Sequence, residues 1–218
     1  MFFFKDDFNA NAFDYRYMFL RNPETSAYSL SAKKGFLQLS LKPQTATERK
    51  SPSFLGFRQQ NLKGYAATSM DFTAMSDKEK AGLMIFQSET HFYFLCESTE
   101  NNQPVVQLYK SPVKAGETPE LLTSQKLAST KMLYLKIEAN ADKYAFYYAA
   151  VKDQWILLKD NVDGAFLSTK VAGGFVGSMF ALYATSNGDQ TSSSASFDWF
   201  EYKGNDDALK NNFLLYKY

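Results

Sequence analysis

The chain has 218 residues, enough for one large domain or two small ones. Its formal net charge is +1, so neither a nucleic-acid partner nor a polybasic membrane surface is expected. The single cysteine, Cys96, excludes an internal disulfide framework, and the apolar run around it predicts a buried thiol. Aromatic residues reach 17%, an excess that suits both β-strands and sugar-binding faces and does not choose between them.

The N-terminal segment carries no targeting signal. MFFFKDDF is too short and too quickly charged for a signal peptide, and no stretch approaches the roughly 18 apolar residues of a membrane span. No membrane partner is therefore expected. The sequence leaves open whether the protein acts in the cytoplasm or is exported.

Strand-like alternation of period two dominates the chain. GFLQLSLK (35–42) places Leu37, Leu39 and Leu41 on one side of a strand. AGLMIFQSETHFYFL (81–95) mixes alternation with continuous apolar runs, which is typical of central strands covered on both faces. The same short-strand texture returns in YLKIEA, YAFYYAA, QWILLKD and SFDWFEY.

Turn signals divide these strands into the pattern of one domain. ANADKYAF predicts a hairpin turn between strands at 131–139 and 142–149, and SNGDQTSSS predicts a longer polar loop. About thirteen segments with sandwich-like spacing, and no linker, predict a single all-β domain over residues 1–203. Two stacked antiparallel sheets fit best, with a closed barrel as the alternative. The tail, 204–218, could hold a helical turn capped by Asp206 or Asp207.

Known catalytic constellations are missing. A single histidine, His91, argues against Ser-His-Asp, Cys-His and multi-histidine zinc sites. VAGGFVGSMF has glycines but no following helix, so it is not read as a phosphate-binding loop. The chain has 23 acidic residues, yet none stands in a sequence context that marks it as a catalytic carboxylate of glycoside hydrolysis.

The segment SPSFLGFRQQ (51–60) carries the most distinctive polar group. Arg58, Gln59 and Gln60 place a planar set of donors beside two amides, which can hold hydroxyls or carboxylates in fixed orientation. A binding surface, an interface and an ordinary polar sheet face all remain open. His91, at the start of a strand, suits either a hydrogen-bonding or a partner-facing role.

Both tryptophans lie in alternating strands and could serve as sugar-stacking platforms. Trp199 in FDWFEY fits a core position better, whereas Trp155 stays a candidate contact. Asp7 and Asp198 lie in the first and last strands, which often pair in a sandwich. Converging there, they could ligate a structural Ca²⁺ ion; the alternative is hydrogen bonding that locks the two ends together.

Taken together, five ordered segments resemble the C-terminal β-sandwich domain of glycoside hydrolase family 43 β-xylosidases. That domain is a concanavalin A-like jelly roll of two antiparallel sheets. DDF followed by LRNP (20–23) is similar to its usual opening, and the resemblance spans residues 4–203. The five segments are SPSFLGFRQQ, AGLMIFQSETHFYFL, LYLKIEANADKYAFYY, LSTKVAGGFVGSMFALYATSNG and ASFDWFEY.

The resemblance implies an accessory role in xylan degradation. In that family a five-bladed propeller hydrolyses xylosides or arabinosides, and the sandwich packs on it and sends a loop toward the pocket mouth. That loop corresponds to Gln44 to Phe54 here, and Phe57 stands where relatives usually carry the first of two arginines. The implied partners are the propeller and xylo- or arabino-oligosaccharides. The candidate interface or sugar contacts are Phe54, Phe57, Arg58, Gln59, Gln60, His91 and Trp155.

Two further classes of function stay open at this point. One is a free-standing carbohydrate-binding module of lectin-like fold. The other is a secreted interaction protein that has kept the sandwich and lost the enzyme.

Overall fold

Fifteen β-strands make up almost all of the regular structure in the computed structural model, which describes residues 2–128, 131–174 and 176–205. Helical structure in these residues is limited to two 3₁₀ turns, Thr25–Ala27 and Ala165–Leu167, and one turn of α-helix, α1 (Thr169–Ala172). The helical turn expected near Asp206 lies outside the described residues. The strands are β1 (Phe2–Asp6), β2 (Tyr17–Met18), β3 (Tyr28–Ser29), β4 (Leu37–Ser40), β5 (Ser53–Arg58), β6 (Lys63–Asp71), β7 (Lys80–Ser88), β8 (His91–Glu100), β9 (Gln103–Lys110), β10 (Glu120–Lys126), β11 (Leu133–Asn140), β12 (Lys143–Ala149), β13 (Ile156–Asp163), β14 (Met179–Thr185) and β15 (Ser194–Gly204).

The strands form two antiparallel sheets packed face to face. Sheet A runs β13-β12-β11-β6-β15-β4-β3, with β1 also paired to β15, and sheet B runs β10-β9-β8-β7-β14-β5-β2. This confirms the predicted all-β sandwich over the closed barrel. Across the described residues, no helix is long and apolar enough to cross a membrane.

The core between the sheets follows from alternation along each strand. In β11, Leu133, Leu135 and Ile137 are buried, and the residues between them are only partly buried. Each fully buried aliphatic side chain stabilises the fold by about 1.5–3 kcal/mol relative to an exposed one. The antiparallel pairing of β11 with β12 confirms the predicted hairpin, whose turn lies at 141–142.

Sheet B is buried on its outer face as well. Phe54, Met84, Phe86, Phe94 and Cys96 point away from the intersheet core, yet each is at most 4% exposed. The expectation that strands at 81–95 are covered on both faces is therefore confirmed. Burial also raises the pKa of the Cys96 thiol to about 12, so the thiol stays protonated and unreactive at neutral pH.

The first and last described strands pair, as expected for this type of sandwich. β1 runs antiparallel to β15 from Phe2 opposite Gly204 to Asp6 opposite Phe200. β15 therefore lies inside sheet A, with β6 on one side and both β1 and β4 on the other.

A bulge in β15 overturns the expectation that Trp199 is a core residue. The register against β6 shifts between Phe197 and Trp199, so the period of two breaks at this point. As a result Phe197 and Phe200 are both buried between the sheets, while Trp199 is only partly buried on the outer face of sheet A. Strict alternation had grouped Trp199 with Phe197, and the extra residue of the bulge separates them.

Candidate functional site

A loop between β4 and β5, residues 43–52, folds across the outer face of sheet B; we name it the covering loop. The backbone amide of Ala46 donates a hydrogen bond of 2.9 Å to the hydroxyl of Tyr183 in β14. The amide of Gly116 donates to the Thr47 carbonyl at 2.8 Å, and the hydroxyl of Thr185 donates to the carbonyl oxygen of Gln44 at 3.2 Å. These bonds fix the base of the loop to β14 and to the loop between β9 and β10.

Prolines at both ends of PQTATERKSPS (43–53) and the lack of apolar periodicity predict an exposed loop, and this prediction is wrong for part of the segment. Ala46 and Thr47 are 1% and 3% exposed, because the apolar outer face of sheet B needs a cover. Phe54, which was expected in the loop, already belongs to β5. Arg49 and Lys50 remain exposed, so the loop has a buried base and a solvent-facing tip.

Beside the covering loop lies a groove of about 640 Å³. Its lining includes the rings of Phe92, Phe94 and Tyr109, and polar groups include Lys80 and Asn187. The opposite wall is the segment 116–119. An apolar floor with a few polar groups around it is the usual composition of a ligand or partner pocket. We name it the sheet B groove.

Arg58 and Gln59 use their polar groups within the chain. The Arg58 guanidinium donates to the carbonyl oxygens of Val176 and Gly177, which precede β14. The Gln59 side-chain amide donates to the carbonyl of Asn61 at 3.0 Å. Its oxygen accepts a hydrogen bond of 2.8 Å from the Tyr144 hydroxyl.

The turn between β5 and β6 is hydrogen-bonded to Tyr202 of β15. The backbone amides of Gln60 and Asn61 donate to the Tyr202 hydroxyl at 3.1 and 3.0 Å, and that hydroxyl donates to the Asn61 side-chain oxygen at 2.8 Å. Gln60 is exposed to solvent, and Arg58 and Gln59 are partly buried. The observed contacts of this polar group therefore brace the turn between β5 and β6.

Phe57, which the resemblance implies replaces the first of two arginines, lies in the intersheet core. It is 1% exposed, and its ring stacks on Phe4 with centroids 4.6 Å apart and planes 11° apart. Phe54 is equally buried, on the outer face of sheet B under the covering loop. Neither ring is at a free surface of this chain.

His91 and Trp155 lie on different sheets. His91 begins β8 in sheet B, where its Nδ1 is 3.0 Å from the Thr90 hydroxyl and its ring centroid is 4.6 Å from that of Phe166. Burial, with a smaller contribution from Lys110, lowers the pKa of His91. Trp155 immediately precedes β13, so the expectation that it lies in a strand is wrong, and it lies over the outer face of sheet A beside Lys136. The predicted contact residues thus fall into several separate places.

Asp7 and Asp198 do converge. Both line one shallow hollow at the outer face of sheet A, and Lys5 Nζ is 3.0 Å from Asp7 Oδ1. Burial raises the pKa of Asp198, and the negative charge of Asp7 adds to the rise. Calcium takes 6–8 oxygen ligands. Among the residues that the structure describes, no group of three or more acidic, histidine or cysteine side chains could hold a metal, so the calcium site stays a prediction.

Sequence reasoning placed Ala46 and Thr47 within the predicted loop, but it identified neither their burial nor the part that Tyr183 plays in it. Tyr183 sits in FALYAT, where alternation places it opposite the core-facing Leu182, but its hydroxyl partner is 137 residues away. Nothing in a local pattern signals that pairing.

Comparison with known proteins decides the family. Residues 5–203 match the family described as "Beta xylosidase C-terminal Concanavalin A-like domain". The chain belongs to this family. The resemblance drawn from the five ordered segments is therefore confirmed, as is the concanavalin A-like sandwich.

Two curated relatives are glycosidases of the same family. The chain is 31% identical over 200 residues to "Non-reducing end alpha-L-arabinofuranosidase BoGH43B" of Bacteroides ovatus. It is 30% identical over 197 residues to "Xylosidase/arabinosidase" of Butyrivibrio fibrisolvens. The matches cover 91% and 90% of this chain but 37% of each relative.

Solved structures agree with the sequence matches. "Bacteroides ovatus Xyloglucan PUL GH43B" superposes with a TM-score of 0.84 at 29% identity, over 92% of this chain and 39% of that one. The GH43 protein BlXynB of Bacillus licheniformis gives a TM-score of 0.83 at 25% identity with the same coverage. The chain is thus similar to the C-terminal part of larger family 43 enzymes.

Proposed function

We propose that the chain is a non-catalytic accessory domain of a family 43 β-xylosidase or α-L-arabinofuranosidase that acts on hemicellulose. It packs on the five-bladed catalytic propeller, and the covering loop helps to close the active site. The proposal is supported by relatives that are named as glycosidases and are nearly three times as long as the matched region.

The anchoring of the covering loop carries the proposal. Its base is bonded through Ala46 to Tyr183 of sheet B and through Thr47 to Gly116 of the loop between β9 and β10, while its tip projects Arg49 and Lys50 into solvent. Arg21 supports the tip by donating to the Lys50 carbonyl at 2.8 Å. A short exposed tip on a rigid base is well suited to a contact with a neighbouring domain, because little entropy is lost when it docks.

Glu48, an acidic residue that lines the sheet B groove, is poorly suited to act as a general acid. A general acid needs a pKa near the working pH. Burial alone would raise the pKa of Glu48, but hydrogen bonds from Lys50 and Thr45 have the larger combined effect, so its pKa is lowered. We expect the purified chain to hydrolyse neither nitrophenyl β-xyloside nor nitrophenyl α-L-arabinofuranoside. Turnover that is abolished by changing an acidic residue of this chain would overturn the non-catalytic assignment.

The role of the tip is tested in the propeller-containing enzyme. Replacing residues 48–51 by a short Gly-Ser link, or changing Arg49 and Lys50 to alanine, should raise KM for xylobiose. The melting temperature should change little, because loop-closure entropy varies slowly with length. Lys126→Ala, an exposed lysine of β10, is the matched control for loss of charge. Unchanged kcat and KM in both tip variants would show that the loop does not reach the pocket.

The alternative is a free-standing carbohydrate-binding module of lectin-like fold. The sheet B groove, with Tyr109 in its lining, is the observation that favours it. A module of this kind should bind xylo-oligosaccharides on a glycan array without a propeller, and Tyr109→Ala should abolish that binding. Absence of glycan binding on the array, together with a change in kcat or KM in the tip variants, would favour the accessory domain.

A further inference from the structure

The outer face of sheet A, away from the covering loop, has its own aromatic cleft. A cavity of about 170 Å³ is lined by Trp155, Trp199 and Tyr65 together with charged side chains. The chain has only two tryptophans, and both line this cleft. We name it the tryptophan cleft.

The register of sheet A explains why a cleft forms at this point. Ala67 of β6 lies directly between Glu201 of β15 and Lys136 of β11. Because its methyl group is short, the sheet surface dips between two long neighbours. Trp199 lies two residues before Glu201 in β15, and Tyr65 lies two residues before Ala67 in β6. Because the strands are antiparallel, the two rings lie on opposite sides of Ala67 along the strand direction. The bulge in β15 is what turns Trp199 to this face.

Contacts between side chains hold the lining of the cleft in place. The Tyr65 hydroxyl donates a hydrogen bond of 2.6 Å to Glu201 Oε1. Lys136 Nζ is 2.6 Å from Glu138 Oε1 and 4.9 Å from the centroid of the Trp155 ring. Groups that are already ordered lose less entropy when a ligand binds, so a weak surface cleft of this kind can still be selective.

The chemistry of the cleft fits a sugar ring. Tryptophan and tyrosine rings pack against the C–H faces of a sugar, and charged groups accept from or donate to its hydroxyls. Trp155, Trp199 and Tyr65 are each partly exposed at the cleft. The charges nearly balance: Lys5, Lys136 and Lys152 face Asp153 and Glu201. A balanced lining favours a neutral ligand, and the small volume limits that ligand to a single residue at a time.

We propose that the tryptophan cleft binds one neutral sugar residue of a polysaccharide chain. It lies on the sheet opposite the covering loop, so a polymer held here leaves the loop face free. The inference does not rest on docking to a propeller, and it differs from the lectin-like alternative, which places the sugar in the sheet B groove.

Tryptophan fluorescence of the 218-residue chain tests the proposal directly, because both tryptophans report on the cleft. Titration with xylohexaose, and separately with arabinoxylan, should change the emission in a saturable way. Trp155→Ala should weaken binding roughly tenfold in calorimetry, the scale expected for loss of one stacked ring. Tyr15→Ala, which removes an aromatic ring that is 91% exposed elsewhere, is the matched control and should bind normally.

A second variant distinguishes loss of binding from loss of the fold. Glu201→Gln keeps the size of the side chain and the fold but removes a charged acceptor, so it should also weaken binding while the melting curve stays cooperative. Absence of a fluorescence change and of binding heat with both glycans would overturn the proposal. Binding that survives in Trp155→Ala and Glu201→Gln but is lost in Tyr109→Ala would overturn it too, since the sugar would then lie in the sheet B groove.

Discussion

The hydroxyl of Tyr183 accepts a buried hydrogen bond from the backbone amide of Ala46, 137 residues earlier in the chain. Tyr183→Phe should therefore cost about 1–3 kcal/mol, because the Ala46 amide is left buried without a partner. Hydrogen exchange at Ala46 should accelerate more than exchange in β11. Tyr15→Phe, at an exposed ring, serves as the control. Unaltered exchange at Ala46 would mean that the loop is held by its other contacts alone.

Neighbouring aromatic residues of β15 should differ sharply in their contribution to stability. Phe200 is 1% exposed in the core, so Phe200→Ala should cost ~3–5 kcal/mol. Trp199 is partly exposed and contacts Lys5 and Tyr134, so Trp199→Ala should cost only about 1–2 kcal/mol. Urea unfolding of both variants checks the order. Equal losses would place the Trp199 ring in the core after all.

The pair of Asp7 and Asp198 should affect stability in a pH-dependent way. Because the pKa of Asp198 is raised, its ionised form is disfavoured in the folded state, and this penalty is present above that pKa. Asp198→Asn should therefore raise the melting temperature slightly at pH 7 in the presence of a chelator. The advantage should vanish as the pH falls below the ordinary range of a carboxyl group.

The same two proteins test the calcium prediction. Added calcium should raise the melting temperature of the unmodified chain by mass action, and Asp198→Asn should abolish the rise. A melting curve that is indifferent to both calcium and chelator would remove the ion and leave the two carboxylates as a simple repulsive pair.

Glu97 of β8 should make the stability of the fold decrease as the pH rises from mildly acidic values to about 8. It is 6% exposed, and burial, with a contribution from the charge of Asp71, raises its pKa from 4.5 to about 8. Between these values the folded state binds more protons than the unfolded state, so stability should fall by roughly 1.4 kcal/mol per pH unit at most. The loss should be complete above about pH 8.

Glu97→Gln removes the titrating group with little change in shape and should flatten that dependence. Urea unfolding of both proteins at pH values below and above the raised pKa provides the measurement. A variant that loses as much stability as the unmodified chain would assign the pH effect to another group.

The sequence was sufficient for what depends on local alternation and on chain order. Leu133, Leu135 and Ile137 could be placed in the core from their period of two. Asp7 and Asp198 could be brought together because the first and last strands were expected to pair. Both inferences need only regular strands.

The remaining features depend on irregular or distant contacts. A one-residue bulge moved Trp199 out of the core, and no residue type in FDWFEY marks the position of that bulge. The burial of Ala46 depends on Tyr183 and on the apolar outer face of sheet B, which are remote in sequence. The polar group of Arg58 and Gln59 was recognisable, but its partners in the turn were not.

The position of β15 also determines when the domain can assemble. Within the described residues β1 pairs only with β15, and β6 needs β15 to complete its second edge. During synthesis sheet A therefore cannot be completed until residues 194–204 have left the ribosome, and until then β1 and one edge of β6 lack their strand partner. Because this strand pairing is long-range and comes late, folding should be slow. Until β15 emerges, the unpaired strand edges of the nascent chain must be protected from aggregation.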